Sequence, residues 1–222
     1  FSNSDAQVQG SVNSVYAITA SAVFYVFRTL VETPIPSNAG GMRPIRVIAP
    51  EGTIVNARPP AAVCGGNVET SQRIVDVLYR CLAQALPARI PAASQGTMNN
   101  LTFGGTDPRT GDPVAYYETV CGGMGARSRL DGISGVHTHM TNTRITDPEI
   151  FEHRYPVRLE RFAVRAGSGG QGRHRGGAGA VRGYPFPGPG SISLLKQHRV
   201  TRPCWGGGRA CRGGCACRPA RG

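Results

Sequence analysis

Lysine is almost absent from this chain. Lys196 is the only one among 25 basic residues, and the rest are arginine. Acidic residues are missing from one end: none follows Glu160, so the 12 basic side chains of residues 161–222 stand unbalanced, whereas residues 1–160 carry 13 of each sign. The net charge of +12 is therefore a property of the C-terminal quarter and describes no general polyanion-binding surface. No uninterrupted apolar run approaches the ~20 residues needed to span a bilayer. The most apolar stretch, Val12 to Val31, is broken by Asn13, Ser14, Thr19, Ser21 and Arg28 and reads as a buried helix ending at Pro34 and Pro36. The chain opens on Phe1 without a signal-peptide pattern, so a cytoplasmic location and no membrane partner are expected. No G-x-x-x-x-G-K-[ST] phosphate-binding loop occurs, which leaves no recognisable nucleotide site. Seven cysteines are present without a single C-x-x-C pair, which excludes a zinc ribbon.

What is present is organised around Pro59 to Gly105. Asn67 suits a helix cap, and Ile74, Leu78, Cys81, Leu82 and Ala85 recur at helical spacing as a core-facing side. Glu69 with Arg73 and Asp76 with Arg80 are acid-before-base pairs four apart, expected on the solvent side. Pro87 stops the helix. Pro44 to Val55 reads as two short strands around a Pro-Glu-Gly turn, and further strands are expected at 101–103, 114–120 and within 155–166. The fold class is α+β: two main helices packed on mixed or antiparallel strands, with Gly-rich loops. Gly167 to Gly172 fits G-x-G-x-x-G, but no helical periodicity follows it, so it reads as a turn between strands and not as a dinucleotide site.

Two loops carry the candidate chemistry. Gly65 and Gly66 turn the chain tightly in front of a helix N-terminus whose free amides suit an anion, with Asn67 beside them. Ser94 to Asn100 packs amide and hydroxyl side chains, notably Gln95, Asn99 and Asn100, into a run that serves either a polar ligand or an ordinary turn. Polar density without charge suits a neutral ligand that needs hydrogen bonds instead of ion pairs. His137 and His139 would share one face if the strand continued through them, so they are metal candidates; the competing reading is a hydrogen-bonded histidine in a turn, with the carboxylates of 147–152 capping a short helix.

The wording PPAAVCGGNVETSQRIVDVL, followed by PAASQGTMNNLTFGG, resembles the hydantoinase B/oxoprolinase family. The resemblance extends upstream through FSNSDAQVQGSVN and NAGGMRPIRVIAPEGTIVNARPP, and downstream through HTHMTNTRITDPEIFEHRYPVRLERF and GSGGQGRHRGGAGAVRGY. It implies a domain over residues 1–199 that is an internal-to-C-terminal piece of the B-type half of an ATP-dependent cyclic amidohydrolase of hydantoinase or 5-oxoprolinase type. By the same resemblance, ATP is bound by a partner A-type subunit and a divalent metal lies in an N-terminal half that precedes Phe1, so this piece binds neither. The expected substrate is a small cyclic amide, with Gly65, Gly66, Asn67, Gln95, Asn99, Asn100, His139 and Asn142 as candidate binding residues.

Residues 200–222 form an Arg/Gly/Cys-rich tail without core-forming residues except Trp205; it is expected to be disordered and to stem from a shifted reading frame. Two alternatives remain. A non-catalytic interaction protein would use this basic tail on nucleic acid, a partner the neutral remainder does not favour. A subunit of an acetone-carboxylase-like enzyme would share the resemblance and differ in its reaction.

Overall fold

The computed structural model describes residues 1–186, 188–198 and 200, which fall into two units. Unit 1 comprises Phe1–Pro91 together with the tripeptide His139–Thr141; unit 2 comprises Ala92–Thr138 and the chain from Asn142 onward. The expected disorder and frame shift of the tail fall almost wholly outside the described residues.

Unit 1 is a helix pair with an irregular flank. Helix α1 spans Tyr16–Leu30 and buries Thr19, Ala22, Val23 and Val26, the i, i+3, i+4, i+7 stripe that turns one side of a helix toward a core. The Thr19 hydroxyl satisfies itself on the Val55 carbonyl at 2.6 Å, so a polar residue sits in that stripe without a stranded donor. Helix α2 spans Ser71–Ala85 and packs on α1. It stops one residue before Leu86–Pro87, as the proline dictates. Among the described residues, no helix is long and apolar enough to cross a membrane.

The start of α2 departs from expectation. The chain enters through a wide π-type turn, Gly66–Thr70, whose flanking residue is Gly65, and Asn67 lies exposed inside that turn instead of capping it. The buried side of α2 also differs. Ile74 is buried as expected, but Leu78 and Leu82 are half-buried, and Cys81 and Ala85 are exposed. Glu69 and Asp76, expected on the wet side, are both buried, and the ion partner of Asp76 is Arg73, at 3.6 Å.

The expected hairpin at 44–55 does not form. Pro44 and Pro50 lack the amide donors a ladder needs, and the segment pairs with the N-terminal stretch instead. Gln7 donates to the Gly52 carbonyl, Ile54 to that of Asp5, and Ser14 to that of Ile54, at 2.7–3.0 Å.

Unit 2 is built on antiparallel strands. β1 (Asn100–Thr106) is the centre of a three-stranded sheet between β2 (Pro113–Thr119) and the chain-distant β7 (Gly190–Leu195). β3 (Gly122–Gly123) pairs with β4 (Ser134–Val136), and β5 (Arg161–Val164) with β6 (Ala180–Gly183). The Gly167–Gly172 stretch lies in the connection between β5 and β6, with Gly167 at φ +72°, so it is the expected turn between strands. The register sets Phe103 opposite Tyr116 on one face, where both meet Phe151 of α3 (Pro148–Arg154) and Val157 in an aromatic core. Asp147 caps α3 by accepting from the amides of Glu149 and Ile150, so this carboxylate does capping work, as one of the two sequence readings holds.

Charge is buried here too. Arg182 and Glu118 pair at 2.8 Å with almost no exposure, and Tyr184 and Tyr116 both donate to the same carboxylate. The Arg182 guanidinium also lies over the rings of Phe162, Tyr184 and Phe151. Glu118 accepts three hydrogen bonds, so the carboxylate is both paired and hydrogen-bonded, as an interior charge requires, whereas Arg182 Nε is buried without a hydrogen-bond partner among the described residues.

Candidate functional site

In unit 1 a polar path runs inward from the surface. Helix α1 places Tyr25 and Thr29 one turn apart on the side that meets α2, and α2 contributes Tyr79. The Thr29 hydroxyl is 2.8 Å from the Tyr79 hydroxyl, and Tyr79 bears on the Tyr25 hydroxyl, helping to hold its proton. Tyr25 in turn is 3.3 Å from Nδ1 of His139. The imidazole lies between the two phenol rings, at centroid distances of 5.9 Å from Tyr25 and 5.3 Å from Tyr79. Its other nitrogen, Nε2, is buried and has no hydrogen-bond partner among the described residues. His139 adopts φ +58°, and burial pulls its pKa down to about 4, so the ring is neutral at ordinary pH. Burial raises both tyrosines, which therefore stay protonated.

One face of α2 completes this group. Gln72, Asp76 and Tyr79 are spaced i, i+4, i+7 and all three are buried. Gln72 Nε2 donates to Thr141 Oγ1 at 2.6 Å, while Tyr79 packs on His139, so the stripe faces the tripeptide 139–141 with Asp76 between the two contacts. Neither carboxylate oxygen of Asp76 has a hydrogen-bond partner among the described residues. Burial raises its pKa to about 7, with Arg73 opposing the shift. Sequence reading missed Tyr25, Asp76 and Tyr79. The signal was the Gln72–Asp76–Tyr79 spacing, which is a polar helix stripe disguised as half of a surface ion pair.

Gly65 and Gly66 serve packing. A Cβ on Gly66 would lie 1.9 Å from the Asn13 carbonyl oxygen, and one on Gly65 would lie 2.8 Å from that of Ser11. The Gly66 amide is already used, donating to the carbonyls of Ser11 and Val63 at 3.1 Å. These glycines let the opening turn of α2 run against the 11–14 backbone.

In unit 2 the loop before β1 is polar and buried. Gln95 donates to the Thr97 carbonyl at 2.7 Å, and its side chain occupies the space a Cβ on Gly122 would need. Asn99, at φ +53°, donates to Gln95 Oε1 at 3.3 Å and to the Val120 carbonyl at 3.2 Å, which leaves its buried Oδ1 without a partner among the described residues. Asn100 is engaged at both ends of its amide: Tyr117 donates to Oδ1 at 2.5 Å and Nδ2 donates to the Leu195 carbonyl at 3.0 Å. Asn142 is exposed. His137 lies in this unit, half-buried, with Nε2 3.4 Å from the Thr143 hydroxyl. The shared strand face expected for His137 and His139 is absent, because β4 ends at Val136 and the left-handed backbone of His139 breaks the alternation. Among the described residues no three His, Cys, Asp or Glu side chains converge as metal ligands.

Both polar groups thus belong to an α+β scaffold that buries uncharged hydrogen-bonding side chains. A model of the hydantoinase B/oxoprolinase family matches residues 1–221, and the chain belongs to that family. The match runs on through the Arg/Gly/Cys-rich tail. The 5-oxoprolinase 1 of Arabidopsis thaliana is 46% identical over 203 residues, which are 91% of this chain and 15% of that protein. The 5-oxoprolinase of Dictyostelium discoideum is 44% identical over 215 residues, 96% of this chain and 16% of that protein. Among solved structures, the ATP-dependent caprolactamase from Pseudomonas jessenii superimposes with a TM-score of 0.68 at 28% identity, covering 80% of this chain and 32% of that one. The chain therefore spans well under half the length of these relatives.

Proposed function

We propose that this chain is part of an ATP-dependent hydrolase of cyclic amides, of 5-oxoprolinase or hydantoinase type. The observation that carries the reading is the family match over residues 1–221 together with 46% identity to a 5-oxoprolinase across nine-tenths of the chain. The chemistry of the chain agrees with it. Asn99, His139 and Asp76 offer buried polar atoms without hydrogen-bond partners among the described residues, and these three are neutral or held toward their neutral form by burial. Groups of this kind suit a neutral amide, whose N–H and C=O need hydrogen-bond partners and no counter-charge.

A five-membered cyclic amide resists hydrolysis, and phosphorylation of its carbonyl oxygen turns that oxygen into a leaving group. We assign the nucleotide to an A-type partner subunit, since these 222 residues contain no phosphate-binding loop. We likewise assign the divalent metal to another part of the assembly; among the described residues no three His, Cys, Asp or Glu side chains converge as ligands. The role left to this chain is to bind and orient the ring.

The test is reconstitution. The chain, within its full-length protein and co-expressed with an A-type subunit, is assayed with ATP against 5-oxoproline, a hydantoin and caprolactam. ATP-dependent ring opening of at least one is expected, while the 222 residues alone turn over none. An intact assembly that opens no cyclic amide removes the reading.

A further inference from the structure

Unit 2 holds an open cleft of about 440 Å³ between the β1–β2 turn, the end of α3 with the residues that follow it, and the residues after β6. That volume lies within the range of about 300–1,000 Å³ common to small-ligand sites. Tyr155, Pro156 and Phe186 give the cleft an apolar wall. Tyr155 and Phe186 pack on Phe103 of the aromatic core, at centroid distances of 6.4 and 5.1 Å, so the wall is anchored.

Three charged side chains line the same cleft, and they are not equivalent. Arg109 is already engaged: its Nε and Nη2 donate to the Asp107 carboxylate at 2.8–3.2 Å, which neutralises it at contact distance. Glu152 and Arg158 bring opposite charges to one cleft, yet neither pairs with the other or with any other ion among the described residues. The Leu159 amide fixes Glu152 by donating to Oε1 at 2.8 Å, which leaves Oε2 to accept from a ligand.

We infer that this cleft binds a free amino acid with an apolar side chain. Its carboxylate lies on the Arg158 guanidinium, whose planar fork suits that group, and its ammonium on Glu152 Oε2. Its side chain lies against Tyr155, Pro156 and Phe186. A zwitterion answers both charges at once, whereas an anion or an amine alone answers one and leaves the other facing it. Both side chains are exposed, so each ionic contact contributes modestly and recognition needs the two together with the apolar wall.

The experiment is a nitrogen-15 NMR titration of the full chain with L-phenylalanine at low ionic strength, reading the Leu159 amide and the Arg158 Nε. Saturable shifts at both are expected. 3-Phenylpropionate, which lacks the ammonium, and 2-phenylethylamine, which lacks the carboxylate, are each expected to bind more weakly by about threefold or more. Arg158→Leu is expected to bring phenylalanine down to the affinity of 2-phenylethylamine. Glu152→Gln, which keeps an acceptor for the Leu159 amide, is expected to bring it down to that of 3-phenylpropionate. Should either variant fail to fold, the three ligands on the unmodified chain decide. Equal binding of all three, tighter binding of either singly charged compound, or no response to millimolar phenylalanine overturns the inference. Binding is read without turnover, so its failure and a failure of ring opening are told apart.

Discussion

The carbonyl oxygen of Asn13 approaches Gly66 so closely that a Cβ there would lie 1.9 Å from it. That oxygen belongs to backbone, and Asn13 is itself fixed. Its side-chain amide donates to the carbonyls of Val8, Gly10 and Ala62 at 2.8–3.0 Å, so nothing can yield cheaply. Gly66→Ala is therefore expected to destabilise unit 1 by about 3 kcal/mol or more, the upper range for an overpacked core. Asn67→Ala, at the exposed neighbour that makes no cap, is expected to stay within about 0.5 kcal/mol. Urea denaturation of the two variants checks this; equal midpoints would show that the turn can relax.

Asp76 predicts a pH dependence of known sign. Its folded pKa is raised from 3.8 to about 7, so the folded state holds a proton that the unfolded state has lost. Stability is then highest near and below pH 4 and declines as pH rises toward 7, at up to about 1.4 kcal/mol per unit, after which the deficit is constant. Asp76→Asn removes the titration. Its stability relative to the unmodified chain should improve between pH 4 and pH 8 by a few kcal/mol. His139 titrates in the opposite sense, losing stability as pH falls from 6.5 toward about 4, but it is present in both proteins and cancels in the difference. A difference that does not change with pH would mean that Asp76 is ionised in a hydrated site.

How far the sequence reveals this arrangement depends on the range of the interactions. The end of α2 at Pro87, the strands around the turn at 107–112 and the Gly-rich turn between β5 and β6 are decided within a few residues, and the observed elements follow the expectations there. The inward side of α2 is not local. Asp76 reads as the partner of Arg80 four residues on, yet it is buried because its stripe meets His139–Thr141, some sixty residues away in the chain. His139 stands out in the sequence as a candidate, but Tyr25 beside it does not, since no neighbour in sequence marks it as polar machinery. The hairpin expected at 44–55 fails for a related reason: its partners are Asp5, Gln7 and Ser14, and two prolines prevent it from pairing with itself.

The Glu118–Arg182 pair predicts an asymmetry between single and double substitution. Each side chain is almost fully buried, and Glu118 accepts from Arg182, Tyr116 and Tyr184. Arg182→Leu strands a buried carboxylate and should cost about 3–5 kcal/mol. Glu118→Leu does the reverse to the guanidinium, with a similar cost. The double variant Glu118→Leu/Arg182→Leu strands no charge and should lose much less than the sum of the two. Additive losses in a thermal-denaturation cycle would show that the pair is solvated in the folded protein.

Asn99 and Asn100 are neighbours with opposite expected behaviour. The Asn100 amide is satisfied at both ends by Tyr117 and the Leu195 carbonyl, which ties β1 to β2 and β7, so Asn100→Ala should cost about 1–3 kcal/mol by leaving those partners unmet. Asn99 holds a left-handed backbone at φ +53° and leaves Oδ1 buried without a partner among the described residues. Substitution by alanine would confuse loss of the amide with backbone strain of about 1–2 kcal/mol. Asn99→Gly removes the amide and keeps the backbone conformation at little steric cost. If the loop is a turn only, the glycine variant should melt slightly lower, through the lost bonds to Val120 and Gln95, and turn over normally in the assembled enzyme. If Oδ1 receives a substrate N–H, the variant should melt within a few degrees of the unmodified protein and lose at least tenfold in kcat/KM, equivalent to about 1.4 kcal/mol of lost binding. The second outcome is expected, because a turn-forming asparagine normally spends its side-chain oxygen on the backbone two residues on, and this one does not. Turnover that falls only in step with the melting temperature would return Asn99 to the scaffold.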